Sequence, residues 1–232
     1  MNLYEIRGKL EKQERAVFGL NEISRIIEKP KNISAVYANR MVKKGLLFKL
    51  EKNKFSVSED IFVIASQLTF PSYLGLTTSL YLNNELSQII DKIYVLSPKK
   101  KRKMKILGNE VIFIKINPKI IFGYKKVKKE NSYIFISDIE KTIIDCILLN
   151  KYCNTLVILN ALKKADTKKI EYYLSIIKKE SLNRKIGFLL DYLEIEHSIK
   201  KRKKTIYKLN PSRKIKGKYN NKWRMYINED LK

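Results

Sequence analysis

LNEISRIIEKPKNISAVYANRMVKKGLLFKLEKNKFSV, residues 20–57, reads as a short helix, a turn, a longer Gly-ended helix and a basic hairpin. In the first helix, over 22–28, Asn21 is the expected N-cap and Ile23, Ile26 and Ile27 form the apolar face. Pro30 biases Lys29 away from helical backbone and ends it. The second helix is predicted over 33–44, with Gly45 as its stop. Two apolar segments, 46–50 and 55–57, then flank the polar turn 51–54, the pattern of a hairpin wing. Upstream, residues 3–18 place Leu3, Ile6, Leu10, Ala16 and Val17 at helical spacing, so another helix precedes the pair. This order is that of a winged helix-turn-helix over residues 1–58.

The longer helix separates into two faces. Tyr37, Ala38 and Met41, with Ser34 and Val42, suit packing on the other helices. Val36, Asn39, Arg40 and Lys43 share the opposite face at i, i+3, i+4 and i+7. In a major groove, Arg can bridge the O6 and N7 of guanine and Asn the N6 and N7 of adenine. Lys31, Asn32 and Ser34 at the start of this segment, and Lys44 at its end, join them as candidate contacts to double-stranded DNA. At the wing, Lys52, Asn53 and Lys54 are candidates for phosphate contacts, which give affinity and position rather than sequence information.

The chain has 232 residues and carries 49 Lys+Arg against 23 Asp+Glu, a formal charge of +26. That excess favours a polyanionic partner. It is not concentrated in the first module, which holds 13 Lys/Arg and 6 Asp/Glu, so charge alone does not assign DNA binding to it. A Lys-rich background, and a winged helix that docks protein instead, are the alternatives. Hydrophobic residues at 44% support folded structure throughout. The first twenty residues are charged and amphipathic rather than signal-like, and no apolar run nears the roughly 18 residues of a membrane span. Cys146 and Cys153, with the single His197, offer no zinc pattern, and both thiols are expected to be reduced and packed in a cytoplasmic protein. No cofactor or metal is implied.

From 59 to 232 the pattern becomes α+β, and the expected fold class is a winged helix-turn-helix followed by a mixed domain with antiparallel strand pairs. Helices are predicted over 61–68 and 74–82. A strand over 92–96 follows, then hairpins 103–107/110–116 around Gly108-Asn109 and 122–127/132–136 around Glu130-Asn131. Ser137-Asp138-Ile139-Glu140 fits a capping box opening a helix to Leu149. Further helices are expected over 154–164, 167–179 and 182–193, with strands over 205–209 and 223–227.

Four segments carry a family resemblance: PSYLGLTTSLYLNNEL (71–86), INPKIIFGYKKV (116–127), ISDIEKTIIDCILL (136–149) and KLNPSRKIKGKYNNKWRMYIN (208–228). In order and approximate spacing they resemble AbiEi antitoxins, transcriptional regulators of type IV toxin–antitoxin systems in viral defence. Asn83-Asn84 departs from the family, where a Gly is expected after the SLYL helix. The resemblance implies a non-enzymatic repressor. Its winged helix would bind repeats in its own promoter, and its C-terminal domain would counteract a nucleotidyltransferase-like toxin.

Other clusters have two readings each. Asp138, Glu140, Lys141 and Asp145 could form a metal-dependent nuclease centre, but the spacing departs from the usual nuclease order and favours capping and a local ion pair. Lys99, Lys100, Lys101, Arg102 and Lys103, and a second basic run at 200–204, could track phosphates or be solvated loops. Tyr219, Trp223 and Tyr226 could stack bases, although closing a core is the commoner role. Whether the chain is a monomer or a dimer is not encoded in these patterns.

Overall fold

The computed structural model describes residues 2–86, 88, 90–202, 204–214 and 217–231, which divide into two compact units. The first comprises Met1–Leu74, Asp91–Ile121 and Lys125–Ile136; the second comprises Gly75–Ile90, Phe122–Tyr124 and Ser137–Lys232.

The first unit begins with α1 (Leu3–Glu11), capped by Asn2 and Glu5 in a reciprocal box. Val17 and Phe18 differ from expectation: they form β1 (Val17–Gly19) with Gly19, not the end of a helix. Phe18 lies opposite Phe55 in an antiparallel pair, and both rings are buried. Helix α2 spans Leu20–Ile27, and its cap is Gly19 rather than Asn21. The Glu22 carboxylate reaches back to the Gly19 N–H at 2.7 Å. Helix α3 spans Lys31–Lys43 with Pro30 as its cap. At its other end Gly45 adopts φ 68°, which lets Leu46 N–H reach the Met41 carbonyl at 2.8 Å and Gly45 N–H reach Val42 at 3.1 Å. That pair of bonds satisfies the last carbonyls of the helix. The wing follows as β2 (Phe48–Glu51) and β3 (Lys54–Ser56), with Asn53 at φ 59° in the turn. Ile6, Leu10, Ile23, Ile27, Ala38, Met41, Leu47 and Phe55 close one apolar core beneath these elements.

This module continues into the sheet without a break at 58. After α4 (Ile61–Gln67), Gln67 accepts the N–H of Ala16 at 2.9 Å and donates to the Tyr133 carbonyl at 2.7 Å. Such a two-ended side-chain bond ties the helix-turn-helix to the strands. The sheet contains β4 (Tyr73–Leu74), β5 (Lys92–Ser97), β6 (Met104–Ile106), β7 (Asn109–Lys115), β8 (Tyr124–Lys129) and β9 (Ser132–Ser137), in the order β6-β7-β5-β4-β9-β8. Leu74, expected to open a helix, is therefore strand. The sheet is mixed rather than built of antiparallel pairs alone: β6–β7 and β4–β5 are antiparallel, while β5–β7 and β4–β9 are parallel. The β6–β7 turn centres on Leu107-Gly108, both at positive φ, one residue earlier than predicted.

In the second unit, α5 (Leu76–Leu82) and α6 (Ile139–Leu148) pack with α7 (Thr155–Leu162), α8 (Thr167–Ile177) and α9 (Glu180–Tyr192). A small sheet joins β10 (Tyr207–Lys208), β11 (Lys218–Asn220) and β12 (Met225–Ile227). Trp223 is 2% exposed and packs on Gly187 of α9, so it closes a core as expected. Its Nε1 donates to Asp191, which also accepts from Lys222 and meets His197 at 3.1 Å. Cys146 and Cys153 are free cysteines, the first buried.

Lys185 on α9 is 7% exposed. Burial, helped by nearby Lys179 and opposed by Glu229, pushes its ammonium from 10.5 down to about 8. The folded value lies below the unfolded one, so between those pH values the unfolded chain holds more protons and stability rises with pH. Below pH 8 the whole penalty of charging the buried amine is present. Lys185→Met should therefore be more stable at pH 7 by up to about 3 kcal/mol, a gain that shrinks as pH rises towards 10.5. Denaturant melts at pH 7 and 10 read this directly. An equal difference at both values would show that the charge is not responsible.

Candidate nucleic-acid interface

The turn between α2 and α3 is fixed by two serines. Ser24 Oγ donates to the Lys29 carbonyl at 2.6 Å, and Ser34 Oγ lies 3.1 Å from the same carbonyl and 3.0 Å from that of Pro30. Glu28 takes φ 55° to let the chain reverse. Ser34 is fully buried in this clasp, which removes it from the candidate contacts and leaves it a turn-building role.

The outer face of α3 is arranged as its spacing indicates. Asn39, Arg40 and Lys43 are exposed, and Val36 between them is 48% exposed. Among the described residues their side chains make no hydrogen bond or ion pair. Lys31 and Asn32 are exposed at the start of the helix and Lys44 at its end. Ala38 and Met41 point the other way into the core, so burial fixes which face is outward.

The wing is less uniform. Lys52 and Asn53 are exposed at its tip. Lys54 is not free: its Nζ donates to the Leu68 carbonyl at 2.8 Å and pairs with Glu51 at 3.1 Å. Glu51 also takes Lys101 at 2.6 Å. Burial pushes the Glu51 carboxyl up, but the hydrogen bonds and charges of Lys101 and Lys54 outweigh it and hold the group below its usual value. The Lys101 pair brings the basic run between β5 and β6 beside the turn end of the wing, where Glu51 closes β2. In that run Lys103 is paired with Glu110 at 2.7 Å, while Lys99, Lys100 and Arg102 are exposed. Sequence separation of fifty residues hid this juxtaposition; the only hint was an acidic residue within the basic hairpin. In the other basic run, Lys203 lies outside the described residues, and Lys201 Nζ donates to the Asn221 carbonyl at 3.3 Å.

In the second unit the acidic cluster on α6 is arranged for packing. Asp138, rather than Ser137, is the N-cap, accepting the Lys141 N–H at 2.8 Å. Its other oxygen accepts from Tyr173 at 2.7 Å and meets Lys169 at 3.1 Å. Glu140 does not complete a capping box; it accepts the Asp166 N–H at 3.1 Å and pairs with Lys169 at 2.9 Å. The two carboxylates raise the Lys169 pKa against the opposing effect of its burial. Lys141 and Asp145, one helical turn apart, form a fully buried ion pair. Burial lowers the Lys141 pKa more than Asp145 restores it. Among the described residues no group of three or more His, Cys, Asp or Glu side chains is placed to hold a metal ion.

No known protein family and no curated protein matches the sequence. The fold is similar to that of the RV2827C protein from Mycobacterium tuberculosis, known from a crystal structure. The likeness has a TM-score of 0.57 at 10% identity and covers 95% of this chain and 89% of that one. It shows a shared α+β architecture. Among the described residues no helix is long and apolar enough to cross a membrane.

Proposed function

We propose that this protein is a cytoplasmic DNA-binding transcriptional repressor of the AbiEi type, acting on repeats in its own promoter. In this reading Asn39, Arg40 and Lys43 meet base edges in the major groove. Lys52 and the exposed members of the 99–103 run hold phosphates. The second unit would serve the antitoxin role against a nucleotidyltransferase-like toxin, as the family resemblance implies.

The carrying observation is the outer face of α3: three side chains suited to base recognition, exposed and without partners among the described residues, on a helix whose opposite face is locked in a core. The wing supports it, because Glu51 gathers Lys54 and Lys101 and leaves Lys52 projecting.

Arg40→Ala should weaken binding to DNA from upstream of the gene by about 1–3 kcal/mol and relax the preference at one base position. Lys52→Ala should weaken all duplexes alike and reduce the salt dependence by about one phosphate contact. Lys54→Ala should change binding less than Lys52→Ala, since its ammonium is already occupied. Titrations at two salt concentrations separate these effects. Equal losses on every sequence for Arg40→Ala would remove α3 as the reading element.

A further inference from the structure

The sheet of the first unit carries a second surface that operator recognition does not use. On β9, Ile134 and Ile136 are buried, so the alternating Tyr133 and Phe135 lie on the opposite face. Their ring centroids are 5.2 Å apart, and Phe70 continues the row 6.0 Å beyond Phe135. Phe70 is 63% exposed, a large loss of burial for a phenyl ring. Along the neighbouring edge strand β8, Lys126 Nζ lies 3.9 Å from the Tyr133 ring centroid, and exposed Lys128 follows on the same side. Neither ammonium has a carboxylate partner among the described residues. At the Tyr133 end the row opens into a groove of about 720 Å³, whose other wall includes Lys12. Of the carboxylates there, Glu11 is paired with Arg7 at 2.8 Å, while Glu14 also lines the groove.

Lysines on an edge strand also discourage pairing with other chains, which accounts for the charges but not for the aromatic row. We propose that this face binds single-stranded nucleic acid, with bases stacking on Phe70, Phe135 and Tyr133 and phosphates following Lys126 and Lys128. Each base presents a π-face, so a row of rings beside cations accepts a strand with little regard to sequence. A duplex keeps its bases stacked on one another and cannot use the rings. The inference is independent of the operator reading, because it uses no residue of α3 or the wing.

The test is fluorescence anisotropy of the full chain with labelled oligo(dT) and oligo(U) of about 12 nucleotides, within the range of single-strand site sizes. Wild type should bind both. Phe70→Ala, at an exposed position that leaves the core intact, should weaken binding about fivefold or more. Lys126→Glu with Lys128→Glu should weaken it further and flatten its salt dependence, while Arg40→Ala should leave it unchanged. Three results would overturn the proposal: no single-strand binding by wild type, an unchanged affinity in Phe70→Ala, or loss of binding in Arg40→Ala. The first two leave duplex recognition by α3 untouched, and the third would place single-strand binding on α3 instead of this face.

Discussion

Lys141→Met is expected to destabilise the protein by about 3–5 kcal/mol, the cost of leaving a buried carboxylate without its cation. Both side chains of the Lys141–Asp145 pair are essentially inaccessible, 0% and 1% exposed, so solvent cannot replace the lost partner. The pair itself is not the source of the stability. Replacing both residues with apolar side chains, as in Lys141→Met/Asp145→Val, should return most or all of the loss, because neither charge then has to be desolvated. A double-mutant cycle by denaturant unfolding measures the coupling. Additive losses would mean that the two groups do not depend on each other. The same cycle separates structure from chemistry at α6: a pair that can be removed without loss of stability or DNA binding is a packing feature, in line with the capping contacts of Asp138 and the Lys169 contacts of Glu140.

The second large effect is expected at Gly187. A Cβ there would lie 2.1 Å from the Trp223 ring, and the ring is held by its bond to Asp191, so it has little room to yield. Alanine in a helix interior would ordinarily gain up to about 1 kcal/mol over glycine. Here overpacking should dominate, and Gly187→Ala should lose about 3 kcal/mol or more. Gly8→Ala provides the contrast. It also sits in a helix, α1, but its Cβ would meet nothing within 4 Å, so the propensity gain should appear undiminished. Thermal unfolding of the two variants should shift in opposite directions; a shared sign would contradict the packing argument.

These positions show what the sequence could and could not convey. Gly45, the Ser-Pro-bounded turn and the short apolar hairpin are local chemistry, and α3, its stop and the wing follow from them. Burial then obeys the helical period: Ala38 and Met41 go inward, and Asn39, Arg40 and Lys43 stay outside. The failures concern partners distant in sequence. Val17 continues a helical apolar pattern, yet residues 17–19 become a strand because β3 supplies their hydrogen bonds. Glu140 stands at capping-box spacing from Ser137, yet Lys169 and the Asp166 N–H claim it.

The candidate site divides in the same way. Every lysine of the wing and of the 99–103 run looks equivalent as a letter. Only the fold shows that Glu51 occupies two of them and thereby draws the run towards the wing. Ser34 fits an exposed helix start by position, but its hydroxyl is consumed by the carbonyls of the preceding turn. Nothing in the order of residues brings Phe70 beside Phe135, since the contact depends on how α4 leads into the sheet.

The central claim is that α3 reads sequence in the promoter of its own gene. Its most direct test is the affinity of the intact protein for the duplex upstream of its reading frame against a scrambled duplex of equal length, at about physiological salt. Specific recognition typically exceeds non-specific binding by at least about a thousandfold under such conditions. The proposed function predicts a ratio of that order for wild type, reduced by Arg40→Ala. Equal affinity for the two duplexes would contradict it.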